Sequence, residues 1–138
     1  MRAKKVGHTI LNNGIDRPWS QYFCCMISAT ADYVNRYLVA TKRVLRAILK
    51  AADLCVSDPQ WVAQEIVARG FVLSYDYALQ TLNEIRYDRW RDFDPEDSLR
   101  FSALRMQEMG MIKSSPQEII DAGTDWHFLD ELKREMKS

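Results

Sequence analysis

Most of the residues from which recognisable sites are built are scarce in this chain. Only 2 of its 138 residues are histidine, His8 and His127, and they stand at opposite ends. Two histidines one helical turn apart, the usual core of a helical metal site, are therefore excluded. Three cysteines, Cys24, Cys25 and Cys55, make an odd set without framework spacing, which excludes a disulfide scaffold. Five glycines are scattered and form no phosphate-cradling loop. Charge of either sign is not in excess: 19 basic residues balance 19 acidic ones. That balance removes any general attraction to nucleic acid or to an acidic membrane, and it opposes self-association little. The longest apolar run, Tyr22 to Ile27, is a strand's length and far short of the roughly 18 residues a membrane helix needs. No membrane-embedded segment is expected.

What the chain does have is an ordinary globular composition, 47% apolar and 28% charged. Its length suits a single unit spanning residues 1–138. The basic start "MRAKKVGHTI" leads into no apolar stretch, so no signal peptide is expected and the chain as written is cytoplasmic.

Residues 6–30 read as strand, turn, strand. "VGHTILNN" places Val6, His8 and Ile10 on one side and alternates as a strand does. "NNGID" reads as a turn with Gly14 supplying positive φ. "YFCCMIS" is apolar on both faces and predicts a strand covered on both sides, with Cys24 and Cys25 as buried core. Two strands alone form a marginal sheet, so neighbours are required from elsewhere.

Residues 31–138 carry the punctuation of helices. In "ATKRVLRAILKAADLC", Leu45, Ile48, Leu49 and Ala52 recur at amphipathic spacing. "SDPQWVAQEIVARG" offers Asp58 as cap, Pro59 in the first turn and Gly70 as stop. "DPEDSLRFSALRMQEMG" repeats this with Asp94, Pro95 and Gly110, and "SSPQEIIDAG" pairs Ser115 with Glu118 as a capping box ending at Gly123. "SYDYALQTLNEI" predicts a further helix, and "TDWHFLDELKREMK" a last one, with Trp126, Leu129 and Leu132 on its apolar side. The expected class is mainly α with a small β element (α+β), about six helices and two strands.

Few side-chain sets point to chemistry. Asp92, Asp94, Glu96 and Asp97 miss the order of a calcium loop, and a helix start explains them. Lys42, Arg46 and Lys50, with Arg43 alongside, form a stripe without interleaved aromatics and read as a solvated face. Ser20 lacks a nucleophile elbow and partners at hydrolase spacing. No catalytic residue, metal ligand or cofactor is expected, and the chain is not read as an enzyme. The remaining feature is "RPWSQYF". This turn offers Trp19 and Tyr22 for stacking and Ser20 and Gln21 for hydrogen bonding, a small-molecule contact in residue type.

Five stretches occur in one order: "DRPWSQYFCCM", "ATKRVLRAILKAADLC", "YDYALQTLNEI", "DPEDSLRFSALRMQEMGMIKSSPQEII" and "GTDWHFLDELKREMK". Together they resemble the C-terminal part of substrate-binding proteins of ABC importers, of the nitrate/sulfonate/taurine type. That group is related to the proteins that bind and synthesise thiamine-pyrimidine precursors. The resemblance runs from about Gly7 to Lys137. It implies the C-terminal portion of a two-lobed periplasmic-binding-protein type II fold, with "RPWSQYF" as cleft turn and "FCCMIS" as hinge crossover. Trp19, Ser20, Gln21 and Tyr22 would then contact a small anionic or heterocyclic solute.

The family is periplasmic, and its members are roughly twice this length or more, beginning with an export signal and a complete first lobe, neither of which is expected in this chain as written. A partial solute-binding module is therefore expected, one that needs a second copy or another chain to complete its cleft. An ABC permease would be a partner only through a full-length protein. The cysteine-rich motif of the precursor-synthesising branch does not match Cys24-Cys25, so that activity is not implied. The alternative is a stand-alone helical interaction protein that forms a homo-oligomer.

Overall fold

Five of the helices begin where a side chain accepts a backbone N–H of the first turn. The computed structural model describes residues 6–23 and 25–136. Among the described residues there are seven α-helices: α1 (Ala31–Arg36), α2 (Leu38–Ser57), α3 (Pro59–Ala68), α4 (Tyr75–Glu84), α5 (Pro95–Glu108), α6 (Pro116–Gly123) and α7 (His127–Glu135). Two short 3-10 helices, Trp19–Gln21 and Tyr87–Arg91, complete the regular structure of the described residues. Asp58 accepts from the Trp61 N–H at 3.0 Å, and Asp94 accepts from those of Glu96 and Asp97 at 2.9 and 3.1 Å. Ser115 and Glu118 satisfy one another's backbone in a capping box. At the far ends Gly70 and Gly110 take φ of +76° and +70°, which lets the following N–H turn back to the helix.

Two helical hairpins share one design. α3 pairs with α4 and α5 with α6, each opening on Asp-Pro and turning at a left-handed glycine. Ala63 and Ala78 are buried where α3 meets α4, and their small side chains let the two backbones approach closely. Leu82 closes this core, with Val62, Ile66, Val72 and Leu79 packed around it. Ala103, Ile120, Phe128 and Leu132 are the other buried apolar residues. α2 touches α3, α4, α7 and the 87–91 helix and so joins the parts.

The α+β expectation is overturned. No strand occurs among the described residues, and with no sheet the expected periplasmic-binding-protein type II portion, cleft strand and hinge crossover included, is not formed. Residues 6–12 and 25–30 take no regular structure. Their β-branched residues have no sheet to pack on, and Ile10 is left 91% exposed. Strand preference is largely a preference for strand neighbours, and no strand occurs among the described residues. Local bonds occupy the backbone instead: the Asn12 N–H donates to Asp16 at 2.7 Å, and the Ile15 and Asp16 N–H groups return to the Asn12 carbonyl. The left-handed glycine in this region is Gly7, not Gly14. Of the cysteine pair expected in the core, Cys25 is exposed and Cys24 lies outside the described residues.

The basic stripe of α2 is also corrected. Lys42 donates to Glu131 at 2.5 Å and to Glu135 at 2.7 Å, and Arg46 joins Glu135, so two of its members clamp α2 to α7. The carboxylates hold the Lys42 ammonium above its ordinary value, and the lysine holds both glutamates below theirs. Sequence spacing cannot distinguish such a clamp from a solvated face.

The accessible surface is 10,370 Å². A compact monomer of 16.1 kDa exposes roughly 7,400 Å². Residues 6–23 and 25–30, nearly all of them exposed, contribute to this difference of roughly 3,000 Å².

Candidate functional site

The Arg17–Tyr22 turn is built from its own backbone and then fastened from below. The Ser20 N–H returns to the Asp16 carbonyl at 2.9 Å, Gln21 to Pro18 at 3.1 Å and Tyr22 to Trp19 at 3.1 Å. The Arg17–Pro18 peptide is cis. Tyr22 then stacks on Phe101 of α5, with ring centres 4.1 Å apart and planes within 6°. Phe23 meets Phe93 edge to face at 6.4 Å. Two aromatic contacts to one helix and the segment before it hold the turn against the α5 hairpin.

The four residues expected to contact a solute thus divide by role. Trp19 is 43% exposed and Gln21 is exposed beside it. Ser20 is half-buried. Among the described residues, neither the Ser20 hydroxyl nor the Gln21 amide is bound within the chain. Tyr22 is half-buried and its ring face is already occupied by Phe101, so it serves as an anchor. The turn therefore presents one indole, one hydroxyl and one amide outward from a fixed base.

Sequence reasoning missed what lies under the turn. The Arg105 guanidinium stands 5.9 Å from the centre of the Phe101 ring, and that of Arg89 5.4 Å from Phe93. Arg89 faces Asp92 at 3.2 Å, and Arg105 donates to Glu108 at 2.8 Å. The two rings that receive Tyr22 and Phe23 each have a guanidinium beside them, and each guanidinium is already paired with a carboxylate. Nothing near the turn in sequence marks this: Tyr22 and Phe101 are 79 positions apart and Phe23 and Phe93 are 70 apart, and one arginine among many carries no signal.

Elsewhere the chemistry is structural. His127 pairs with Asp125 at the surface, and His8 is exposed. Burial pushes the Cys55 thiol up, away from thiolate chemistry. Among the described residues no group of three or more His, Cys, Asp or Glu is placed to hold a metal ion. None of the helices there is long and apolar enough to cross a membrane. An open hollow of about 660 Å³ lies between α1 and the start of α2, lined by Tyr37, Leu38, Val39, Arg43 and Val44 among others. None of the four turn residues lines it. Comparison with family models, with curated proteins and with solved structures returns no match for this chain.

Proposed function

We propose that this chain is a partial, non-catalytic solute-binding module, related to the binding proteins of ABC importers, that supplies one wall of a site for a small anionic or heterocyclic solute. The Tyr22–Phe101 stack carries this reading. It fixes the turn, and only a fixed base presents Trp19, Ser20 and Gln21 without a large ordering cost on binding. Indole, hydroxyl and amide suit a flat or polar solute. The five segments that resemble importer binding proteins support the same class.

An open turn buries little of a solute, whereas small-molecule sites enclose most of theirs. The opposite wall therefore comes from another polypeptide surface. The test is a thermal-melt panel with nitrate, taurine, alkyl sulfonates, bicarbonate and aminopyrimidines, each titrated. A ligand bound by the folded state raises the melting temperature with its concentration. The reading expects one such response, lost in Trp19→Ala and in Gln21→Ala. A cooperative melt that none of these solutes moves overturns it.

A further inference from the structure

Half of the 6 methionines of this chain lie within one short stretch at the end of α5: Met106, Met109 and Met111. The backbone there draws the three together. The Met111 N–H returns to the Met106 carbonyl at 2.9 Å and the Gly110 N–H to that of Gln107 at 2.9 Å, with Gly110 at φ +70°. In this closure the residue after the glycine folds back onto the residue five positions before it, here Met106. Met109 keeps helical backbone, φ −80° and ψ 0°, and so stands one turn from Met106 on the same face, roughly 5–6 Å away between Cβ atoms. Met106 is the neighbour of both others.

The needs of the turn do not account for all three. Met106 is 37% exposed, Met109 66% and Met111 64%. The turn after α3 provides the comparison within the same chain. It closes with the same pair of bonds, Phe71 to Ile66 and Gly70 to Val67, both at 2.9 Å, around a glycine at φ +76°. The three corresponding positions there hold Ile66, Arg69 and Phe71. An apolar pair at the first and last positions thus serves both turns. The middle position needs no apolar side chain, since Arg69 occupies it and pairs with Glu65 at 2.8 Å. Met109 is an apolar group in water that the turn does not require, and it stands where it completes a set of three thioethers.

We propose that Met106, Met109 and Met111 form a three-thioether site for a soft monovalent metal ion, copper(I). Neutral, polarisable sulfur suits copper(I), whereas magnesium and calcium take oxygen ligands and zinc takes thiolate, imidazole or carboxylate. Glu108, the carboxylate within this stretch, is bonded to Arg105 at 2.8 Å. The exposed Lys113, two residues beyond Met111, repels a divalent ion more than a monovalent one. Each methionine has three rotatable bonds, which lets the sulfur atoms close on an ion, and their exposure gives the ion a direct path. This site requires neither the Arg17–Tyr22 turn nor its solute.

Silver(I), which shares the charge and ligand preference of copper(I) without its redox chemistry, is the probe. The whole chain, labelled with carbon-13 in its methionine methyl groups, is titrated with silver nitrate and followed by methyl NMR. Met106→Leu, Met109→Leu and Met111→Leu assign the signals. The 3 cysteines take silver first, so the reading begins where further silver moves methionine signals. The signals of Met106, Met109 and Met111 should then move together and stop at one further equivalent, while that of Met136 stays in place. Zinc chloride should move none of the three. In Met109→Leu, which keeps the bulk of an exposed side chain, the other two signals should need several-fold more silver to move. Should that variant unfold, Met111→Leu provides the same test on Met106 and Met109. Three signals that stay in place after the thiols are filled overturn the proposal, as do signals that move one at a time with separate midpoints. So does a zinc response equal to that of silver, or a folded leucine variant that takes silver as the wild type does.

Discussion

Asp53 of α2 takes the guanidinium of Arg91 on both of its carboxylate oxygens, at 2.6 and 2.8 Å. The Trp90 indole N–H adds a third bond to the same carboxylate at 2.9 Å. This link joins α2 to the second half of the chain across 38 positions of sequence. Arg91 holds the Asp53 carboxyl below its usual value; burial opposes this and the indole assists it. Both side chains are about a third exposed, so solvent screening keeps the link near the upper end of the surface range, at about 1 kcal/mol.

Asp53→Asn should lower unfolding stability by about 1 kcal/mol at neutral pH, measured by urea titration. The sign of the pH effect follows from a folded pKa below the unfolded one. The contribution is complete above the ordinary value of 3.8 and is lost as the pH falls through the lower folded value. The difference between wild type and variant should therefore shrink on acidification through that window. A gap that persists unchanged would assign the effect to something other than the carboxylate's charge.

Leu132 has no exposed surface and sits on α7 between the ion pairs to α2 and the buried Phe128. Leu132→Ala should cost about 3 kcal/mol, through lost burial and the cavity left behind. So few residues are fully buried that this is a large share of the total. Chemical denaturation monitored at the helical band is the measurement. A loss below about 1 kcal/mol would mean that α7 contributes little to the fold.

Gly70 and Gly110 turn the chain after α3 and α5. A Cβ at either position meets nothing within 4 Å, so an alanine there pays only for left-handed backbone. Gly70→Ala and Gly110→Ala should each cost about 1 kcal/mol, and the two should add, since they lie in separate hairpins. Strong coupling between them would show that the hairpins do not fold as the separate units their packing suggests.

Phe101→Ala removes the ring under Tyr22 without touching the outward face of the turn. It should cost about 1 kcal/mol or more in stability. It should also weaken the thermal response to any solute found in the panel. Phe101→Leu, which keeps bulk but not stacking, should fall between. A solute response that survives Phe101→Ala intact would separate binding from the anchoring of the turn.

The helices were legible because their signals are local. Asp58, Asp94 and Ser115 cap within three residues of themselves, and Gly70 and Gly110 stop the helix directly ahead of them. Such information lies within one turn of backbone and needs no distant partner. Candidate contacts at Trp19, Ser20, Gln21 and Tyr22 were recognisable as residue types, but not the division of labour that makes Tyr22 an anchor.

The β-like stretches were misread for the complementary reason. Ile10 and Ile27 have strand-forming side chains, but a strand exists only where a second one supplies its hydrogen bonds, and these residues lie in segments without regular structure. The two faces of α2 divide in the same way. Sequence by itself determined that both are apolar enough to pack. Tertiary structure decided that Leu45 and Leu49 turn inward, that Lys42 and Arg46 bind α7, and that Val44 and Ile48 remain on the surface. Periodicity records which residues share a side of a helix, whereas the side that is covered depends on contacts made between distant parts of the chain.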